Sequence, residues 1–306
     1  MQCPTLAELP KPQTDRPGWP WTEESTRLPA TMSDGKPWPK ITVVTPHLNQ
    51  GAFVEETIRS VLLQGYPNIE YILVDGGSTD GSLKLISSYS PWIKCLVHKG
   101  EGQSASLNRG FGMAAGELTA WQNSDDFFGP NSFCQAALAA VQNPEYAIFH
   151  GMVRGFQGKN SEPPWLFENC HDFSRQQLLE EVCVMNQSMF FRRTIFEHGM
   201  RLREDLDFVM DLEFFWRLSL EGFRFCMVPS IIGYYRQHDK AKSTAYSMRA
   251  DLESYALLRN LCRDKRLDRS LRLRARSQLR ERFLNAFVRA RRSIVRKLVV
   301  ELFLPI

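Results

Sequence analysis

The chain has 306 residues, of which 43% are hydrophobic and 24% are charged, a balance that excludes a chain disordered throughout. This length suffices for one sizeable core with an appendage or for two domains. The net charge of +4 is uneven, because residues 259–306 hold 15 Lys and Arg against 4 Asp and Glu, and such a basic tail on an acidic body predicts an anionic partner.

Residues 1–40 are predicted to form an extended N-terminal leader. They contain eight of the 17 prolines and show little hydrophobic periodicity, so the pattern indicates neither a long helix nor a strand. We expect the leader to lie on the surface of the body, and we assign it no chemistry.

Strand and helix patterns alternate between residues 41 and 150. Short apolar runs with strand character are separated by stretches in which apolar residues recur at helical spacing. In chain order the segments are ITVVT, FVEETIRSVLLQG, YILVD, SLKLISSY, IKCLV, SASLNRGFGMA and LTAWQ. This alternation predicts a Rossmann-like, mainly parallel central sheet flanked by helices.

The second half of the chain has a mixed pattern. GMVRGFQGKNSEPPW is rich in loop-forming residues, SMFFRR has the pattern of a strand, MDLEFFWRLSLEG that of a helix, and FRFCMV and IIGYY those of two further strands. From about residue 245 the chain has helical character to its end. The predicted fold class is therefore α/β with a basic helical C-terminal extension over residues 246–306.

Polar residues follow three of the predicted strands, at residues 45–49, 75–78 and 123–126. In open α/β sheets ligands bind beyond the carboxyl ends of the strands, so these segments line one crevice if the strands are neighbours. Carboxylates gathered there are costly unless a cation or hydrogen bonds compensate for them, and Mg²⁺ or Mn²⁺ held together with substrate phosphates would do so. The alternative is structural, because NSDD can form a helix-capping turn and DGGSTDGS a generic turn.

Together these motifs resemble those of a family 2 glycosyltransferase of the GT-A type. The resemblance covers about residues 41–240, and its segments are ITVVTPHLNQGAFVEETIRSVLLQGYPNIEYILVDGGSTDGS, GQSASLNRGFGMAAGELTAWQNSDDFF, MDLEFFWRL and YYRQH. It implies a glycosyltransferase domain over residues 41–245. The nucleotide-binding half would span residues 41–150 and the acceptor half residues 151–245.

The resemblance implies a set of donor-binding residues. Thr45 and Pro46 would face the nucleobase, and Asp75 would bind base or ribose, although Gly76 replaces a second aspartate present in many relatives. Asp125 would hydrogen-bond ribose or sugar, or orient a metal-bound water. The remaining donor-binding residues are Asn49, Asn108, Arg109 and Arg236. For Arg109 the alternative is a solvated arginine on the surface.

The same resemblance implies metal ligands and a catalytic base. Asp126 would bind Mg²⁺ or Mn²⁺ directly, in an NSDD motif whose first position is Asn123 instead of aspartate, and His238 would lie beside the metal or diphosphate. Asp211 would act as the base that deprotonates the acceptor. Only one of Asp211 and Glu213 would face the crevice, unless the helix turn starts there, because helical residues two apart do not share a face. The structural alternatives are a surface histidine and a carboxylate that stabilises a helix dipole.

The predicted function is the transfer of a sugar from a nucleotide-diphosphate donor to a hydroxyl of a cell-surface polysaccharide or lipid-linked glycan. One displacement assisted by a general base inverts the anomeric centre, whereas a double displacement needs a nucleophile that the resemblance does not supply. A nucleotidyltransferase would carry a Gly-rich basic loop where this chain has TPHLNQG. A nucleotide-sugar hydrolase and a degenerate nucleotide- or glycan-binding module without transferase activity remain as alternatives.

The C-terminal tail is predicted to form a basic amphipathic helix. Its apolar residues at helical spacing are Leu279, Phe283, Phe287, Ala290, Ile294 and Leu298, and its arginines, largely elsewhere on the helix, are Arg282, Arg289, Arg292 and Arg296. Such a helix can lie on an anionic membrane surface, or it can pack on the body or on another subunit. Nucleic acid is not expected as a partner, because aromatic residues suited to base stacking are few.

The cysteines and apolar runs indicate a cytoplasmic protein, at most peripheral at the inner face of the membrane. The 7 cysteines are odd in number and form no C-x-x-C, which argues against a disulfide framework or a zinc site. The N-terminus lacks a basic start followed by an apolar core, so we expect no secretory signal. No apolar run approaches the roughly 18 residues of a membrane span.

Overall fold

One mixed β-sheet forms the centre of the protein in the computed structural model, which describes residues 1–158, 165–169, 171–180, 183–239, 241–242 and 248–290, with side chains described as far as residue 282. Within these residues the strands are β1 (Ile41–His47), β2 (Ile69–Asp75), β3 (Lys94–Val97), β4 (Leu118–Trp121), β5 (Phe127–Phe128), β6 (Ile148–Gln157), β7 (Phe167–Asn169), β8 (Met189–Arg192) and β9 (Phe225–Gln237). The helices are α1 (Val54–Leu62), α2 (Ser82–Ser88), α3 (Gln103–Met113), α4 (Ser132–Gln142), α5 (Arg175–Glu180), α6 (Thr194–Glu197), α7 (Met210–Leu220), α8 (Met248–Arg263) and α9 (Arg269–Ala290), with a 3-10 turn at Asn186–Ser188.

The strand order is β3-β2-β1-β4-β8-β6-β9-β5, with β7 paired to β6. Strands β1 to β4 pair in parallel, and β8 then joins β4 in the antiparallel direction. The chain moves outward from β1 to β3 and returns on the other side of β1 as β4, which creates the kind of switch point where open α/β sheets bind ligands. The predicted mainly parallel sheet is confirmed, and the three strands with polar ends, β2, β1 and β4, are neighbours.

Two hydrophobic cores cover the two faces of the sheet. Val43 of β1 packs in one core with Ile58 of α1, and the next residue, Val44, packs in the other with Trp121 and Phe214. Successive strand residues point to opposite faces, so a strand covered on both sides needs an unbroken apolar run. This requirement explains ITVVT, in which each fully buried aliphatic side chain contributes about 2 kcal/mol relative to exposure.

The predicted loop after residue 150 is wrong in its first part, because residues 148–157 form the long strand β6. Gly151 and Gly155 suggested a loop, but both lie under a neighbouring side chain. A Cβ at Gly151 would be 2.2 Å from Cγ1 of Ile232, and one at Gly155 would be 2.3 Å from the Phe167 ring. Glycine is therefore required here by close packing between strands. Residues 159–164 of the predicted loop lie outside the described residues.

The two strands predicted for FRFCMV and IIGYY are one continuous strand, β9. Its parallel register with β6 shifts between Gly151 and Met152, opposite Pro229 and Ser230. Proline has no N–H to donate to a ladder, so it occupies a bulge where that hydrogen bond is absent. The bulge lets the strand continue past Pro229 and carry its C-terminal residues to the edge of the predicted crevice.

The N-terminal leader packs tightly against the body. Its residues Cys3, Leu9 and Trp38 belong to the first hydrophobic core. The side chain of Arg59 on α1 donates hydrogen bonds to the carbonyl oxygens of the leader, at distances of 3.0 Å to Pro20, 3.2 Å to Trp21 and 3.1 Å to Pro10. The leader is thus held by apolar burial and by one buried guanidinium.

We expect Arg59→Ala to lower the free energy of unfolding by about 3 kcal/mol, because it leaves buried carbonyl groups without their donor. Urea denaturation followed by circular dichroism measures the change. Arg193→Ala is the matched control, since Arg193 forms a salt bridge with Glu197 in which both side chains are about half exposed, and exposed pairs contribute under about 1 kcal/mol. Equal losses in the two variants would contradict the role of Arg59.

The C-terminal extension packs on the body as far as its side chains are described. Leu258 and Leu261 of α8 and Leu271 and Ala275 of α9 are buried in the second core, and Leu279 is packed against it. This contact agrees with the predicted packing on the body for that part of the tail. The predicted tail residues Arg292, Ile294, Arg296 and Leu298 lie outside the described residues.

Among the described residues, every helix is too short or too polar to cross a bilayer. The described cysteines form no disulfide bonds with one another, and Cys3, Cys183 and Cys262 are buried.

Candidate active site

A cavity of about 510 Å³ lies at the carboxyl ends of β1 and β4. The ends of β9 and α7 complete its wall. Its lining includes Pro46, His47, Gly76, Glu101, Gln103, Asn123, Ser124, Asp125, Asp126, Asn186, Gln187, Asp207, Phe208, Asp211, Tyr235, Arg236 and Lys242. The structure thus brings together the carboxylates of Asp126 and Asp211, which the sequence separates by more than 80 residues.

Asp126 is buried in the cavity wall and surrounded by hydrogen-bond donors. Its Oδ1 accepts from the backbone N–H of Arg236 at 2.8 Å, and its Oδ2 accepts from Gln187 at 2.8 Å and from Asn123 at 3.2 Å. Burial, followed by the charge of the adjacent Asp125, raises the pKa of Asp126 to about 7. Both of its oxygens accept hydrogen bonds from protein donors, so the direct metal contact predicted for Asp126 would share these oxygens with those donors and stays a prediction.

Asn123 replaces the aspartate expected at the first position of its motif, and its environment explains the exchange. Its Oδ1 accepts from Gln103 at 2.9 Å and from the indole of Trp121 at 3.2 Å. Its Nδ2 donates to Asp126. An aspartate would set a second carboxylate oxygen against Asp126, whereas the amide supplies a donor.

Asp125 and His238 come together from the ends of β4 and β9. Nε2 of His238 lies 3.1 Å from Oδ2 of Asp125, and the side chain of Asp125 is 20% exposed. The imidazole also packs on Phe53, with 4.5 Å between ring centroids. A carboxylate oxygen suits Mn²⁺ or Mg²⁺, and of these two ions Mn²⁺ accepts an imidazole nitrogen more readily, because Mg²⁺ prefers oxygen ligands. The described residues contain no cluster of three acidic, histidine or cysteine side chains, so further ligands would have to come from substrate or water.

Asp211 is the second residue of α7 and lines the cavity at the start of that helix. Burial raises the pKa of Asp211, and the backbone N–H of Leu212, which donates to it at 2.7 Å, acts in the opposite direction. Glu213 instead pairs with Arg217 at 2.8 Å and lines a second cavity. The expected division between the two carboxylates of this helix therefore matches the geometry.

Three predicted donor-binding residues lie in or behind the wall of the cavity. Pro46 lines it. Thr45 is fully buried, and its hydroxyl lies 3.1 Å from that of Tyr71. The carboxylate of buried Asp75 accepts from the N–H groups of Gly77 and Ser78 at 2.8 and 2.9 Å. Thr45 and Asp75 therefore fix the shape of the strand ends.

Three other predicted donor-binding residues form contacts between loops outside the cavity. The side chain of Asn49 accepts from the N–H of Thr79 at 2.8 Å. Asn108 donates to the carbonyl and accepts from the N–H of Leu202, both at 2.9 Å. Arg109 forms a salt bridge with Glu101 and is exposed. None of the three is among the cavity-lining residues of the described chain, and the position of Arg109 matches the alternative of a solvated arginine.

Arg236 lines the cavity, but its guanidinium is turned into the protein. It donates hydrogen bonds to the carboxylate of Glu56 at 2.7 Å, to the carbonyl oxygen of Asp125 at 2.8 Å and to that of Gly158 at 2.6 Å. Burial lowers the pKa of Arg236, and the charge of Glu56 acts against that shift. In this geometry Arg236 ties the metal-binding candidate Asp125 to α1.

Several cavity residues were missed by the sequence analysis. Lys242 lies four residues after His238, and its Nζ donates to the carbonyl of Asp207 at 2.8 Å. Nδ2 of Asn186 and Oε1 of Gln187 are buried polar atoms without a partner in the described part of the chain. Lys242 could have been found as the second of two lysines that follow His238, whereas the two amides have no motif to mark them.

Comparisons with known proteins agree with this architecture. The Glycosyl transferase family 2 profile matches residues 42–199, about half of the chain. The chain is 29% identical over 226 residues to the O-antigen biosynthesis protein RfbC of Myxococcus xanthus. The aligned region covers 70% of this chain and 17% of that protein. It is 34% identical over 96 residues to an uncharacterized glycosyltransferase of Nostoc sp., with 30% of each chain covered. The chain thus spans less than a third of the length of these two relatives.

Two further relatives extend over more of the chain or its fold. An uncharacterized glycosyltransferase of Haemophilus influenzae is 25% identical over 227 residues, 68% of this chain and 69% of that protein. The structure of S. aureus TarS 1–349 with UDP-GlcNAc has a TM-score of 0.62 at 16% identity, covering 80% of this chain and 73% of that one.

A third solved structure resembles the chain in fold. The mannosyltransferase PcManGT of Pyrobaculum calidifontis, in complex with GDP-Man and Mn²⁺, has a TM-score of 0.58 at 15% identity and covers 80% of this chain and 72% of that one. Family profile and fold agree on one assignment: this chain belongs to glycosyl transferase family 2 and has the GT-A fold.

Proposed function

We propose that the protein transfers a sugar from a nucleoside-diphosphate donor to a hydroxyl of a glycan, with inversion at the anomeric carbon. A divalent ion, Mg²⁺ or Mn²⁺, would bind at Asp125 and His238, and Asp211 would be the base. The observation that carries this proposal is the convergence of three separate chain segments, the ends of β4 and β9 and the start of α7, on one cavity.

The donor class rests on the fold and on the strand ends. TarS binds UDP-GlcNAc and PcManGT binds GDP-Man, and both resemble this chain in fold. We propose that Pro46 and the backbone of Gly76 contact the nucleobase, while Thr45, Asn49 and Asp75 hold the loops around it. Asn108 and Arg109 would then stabilise the donor half without touching the nucleotide.

The ion and the diphosphate would lie next to Asp125. Bound there, the ion would supply positive charge that stabilises the leaving nucleoside diphosphate. Asp126 would position Asp125, because the hydrogen bonds of Asp126 with Asn123, Gln187 and the backbone of Arg236 fix the turn that carries Asp125. Lys242 lines the same cavity as a further cation for the diphosphate.

Asp211 would accept the proton of the acceptor hydroxyl as the hydroxyl oxygen attacks the anomeric carbon. The new bond joins acceptor oxygen to that carbon, and the bond from the carbon to the phosphate oxygen breaks, which releases the nucleoside diphosphate. A carboxylate whose pKa is raised by burial is a stronger base than an exposed one, so the environment of Asp211 suits this role. A single displacement inverts the configuration.

The acceptor we propose is a cell-surface polysaccharide or a lipid-linked glycan. Its support is the similarity to RfbC, a protein of O-antigen biosynthesis. We further propose a cytoplasmic protein whose basic C-terminal tail contacts the inner face of the membrane, because 15 Lys and Arg in residues 259–306 suit anionic lipid.

A thermal-shift screen of nucleoside diphosphates with and without Mn²⁺ tests the proposal. At a concentration 100 times its dissociation constant a ligand stabilises the folded state by about 2.7 kcal/mol, which corresponds to roughly 5 °C for a protein of this size. We expect one nucleotide to produce this shift only with the ion. Release of free sugar without acceptor would favour the hydrolase, and a shift with no turnover would favour a binding module.

A further inference from the structure

Glu253 of α8 reaches from the C-terminal extension to the loop that precedes α7. Its carboxylate accepts from the backbone N–H of Asp207 at 3.0 Å, of Phe208 at 2.7 Å and of Val209 at 3.2 Å. The side chain of Glu253 is only 8% exposed. One buried carboxylate therefore holds three successive backbone groups of a loop.

That loop leads directly into the proposed base. Helix α7 begins at Met210, its second residue is Asp211, and the residue before it, Val209, has no side-chain cap. The first N–H groups of a helix have no partner inside the helix and require one from elsewhere. Here Glu253 supplies a partner from a distant segment for the N–H of Val209 at the N-cap and holds the two residues before it, so the start of α7 depends on the extension for its geometry.

Two basic residues, Lys242 and Arg249, also contact this loop. Lys242 donates to the carbonyl of Asp207 at 2.8 Å. Arg249 bonds Glu253 at 3.0 Å and also forms a salt bridge with Asp207. Since Asp207 and Phe208 line the active-site cavity, the loop is both part of the site and fixed by residues beyond the segment that matches the family profile.

We propose that Glu253 is a positioning residue for sugar transfer, which fixes the backbone of residues 207–209 and through it the direction of the Asp211 carboxylate. The C-terminal extension then completes the active site. This inference rests on the proposed function, in which Asp211 must lie within hydrogen-bond reach of the acceptor hydroxyl. A displacement of about 1 Å at a reacting group can cost about 100-fold in rate.

The test compares Glu253→Ala and Glu253→Gln in the full chain, with Glu221→Gln as the control. Glu221 forms a salt bridge with Arg266 across the same junction between α7 and the extension, at 2.7 Å and about half exposed. We expect Glu253→Ala to lower kcat by about 10- to 100-fold, with donor KM and nucleoside-diphosphate Kd within about threefold of the parent. Glu253→Gln should be intermediate, because its amide keeps one acceptor oxygen.

Hydrogen exchange separates this inference from the proposed function. In Glu253→Ala the N–H groups of residues 207–209 should exchange at least about tenfold faster than in the parent, whether or not the parent transfers sugar. Unchanged exchange overturns the inference, as does a kcat within about twofold of the parent or a loss of nucleotide affinity as large as the loss of kcat. A parent protein without transferase activity would overturn the proposed function instead.

Discussion

Asp211→Asn should lower kcat for transfer by about 1000-fold and leave the Mn²⁺-dependent stabilisation by nucleoside diphosphate within about 1 °C of that of the parent. The amide has nearly the shape of the carboxylate, but it cannot accept the proton of the acceptor hydroxyl. It can still accept the hydrogen bond from the N–H of Leu212, so the start of α7 is preserved. Initial rates with saturating donor and acceptor, together with thermal shifts, measure both effects.

Glu213→Gln is the control for this variant, because Glu213 lies on the same helix but pairs with Arg217 away from the site. It should retain the parent kcat. The pH profile gives a second readout: burial raises the pKa of Asp211, so transfer by the parent should fall, on acidification, at a higher pH than an ordinary aspartate would cause. The residual rate of Asp211→Asn should lack that fall. Loss of the nucleotide shift would instead assign Asp211 to binding or folding.

The part of the site that follows from local periodicity could be predicted from the sequence. The end of each parallel strand falls at one edge of the sheet, so the polar segments after β1, β2 and β4 had to approach each other once these strands were neighbours. Helical spacing likewise predicted that only one of Asp211 and Glu213 faces the crevice, because two residues on a helix that are two apart diverge by about 200°. The choice of Asp211 came from the family resemblance.

The roles of side chains whose contacts come from distant segments of the chain could not be predicted. Asp125 and Asp126 are adjacent and both line the cavity, and the sequence offers no reason why Asp126 should be the one that accepts hydrogen bonds on both oxygens. The difference arises from Gln187 and the backbone of Arg236, which occupy the oxygens of Asp126. The contact of Glu253 with the loop before α7 is equally non-local, because α8 must first dock on the second core.

The long strand β6 illustrates a different limit. Glycines in a short polar stretch favour a loop in any reading of local propensity. Gly151 and Gly155 are instead required by side chains of β9 and β7 that pack directly on the β6 backbone. The sequence does not distinguish a glycine required for backbone flexibility from one required for close packing. The distinction depends on the side chains of the neighbouring strands.

Asp125→Asn and His238→Ala should each abolish the Mn²⁺-dependent part of the nucleotide shift and lower kcat/KM by about 100-fold or more, since each removes one of two proposed protein ligands. Titration of Mn²⁺ at fixed nucleotide, followed by thermal shift, measures the effect directly.

Asp126→Asn serves as the contrasting variant. Its amide would set an N–H₂ group against donors now bound to a carboxylate, so we expect a loss of about 1–3 kcal/mol in the free energy of unfolding, with the Mn²⁺ dependence retained. The double variant of Asp125 and His238 should be no more impaired in Mn²⁺ dependence than either single variant, because two ligands of one ion act as a unit and their effects do not add. Additive effects, or loss of Mn²⁺ dependence in Asp126→Asn alone, would instead assign the ion to Asp126.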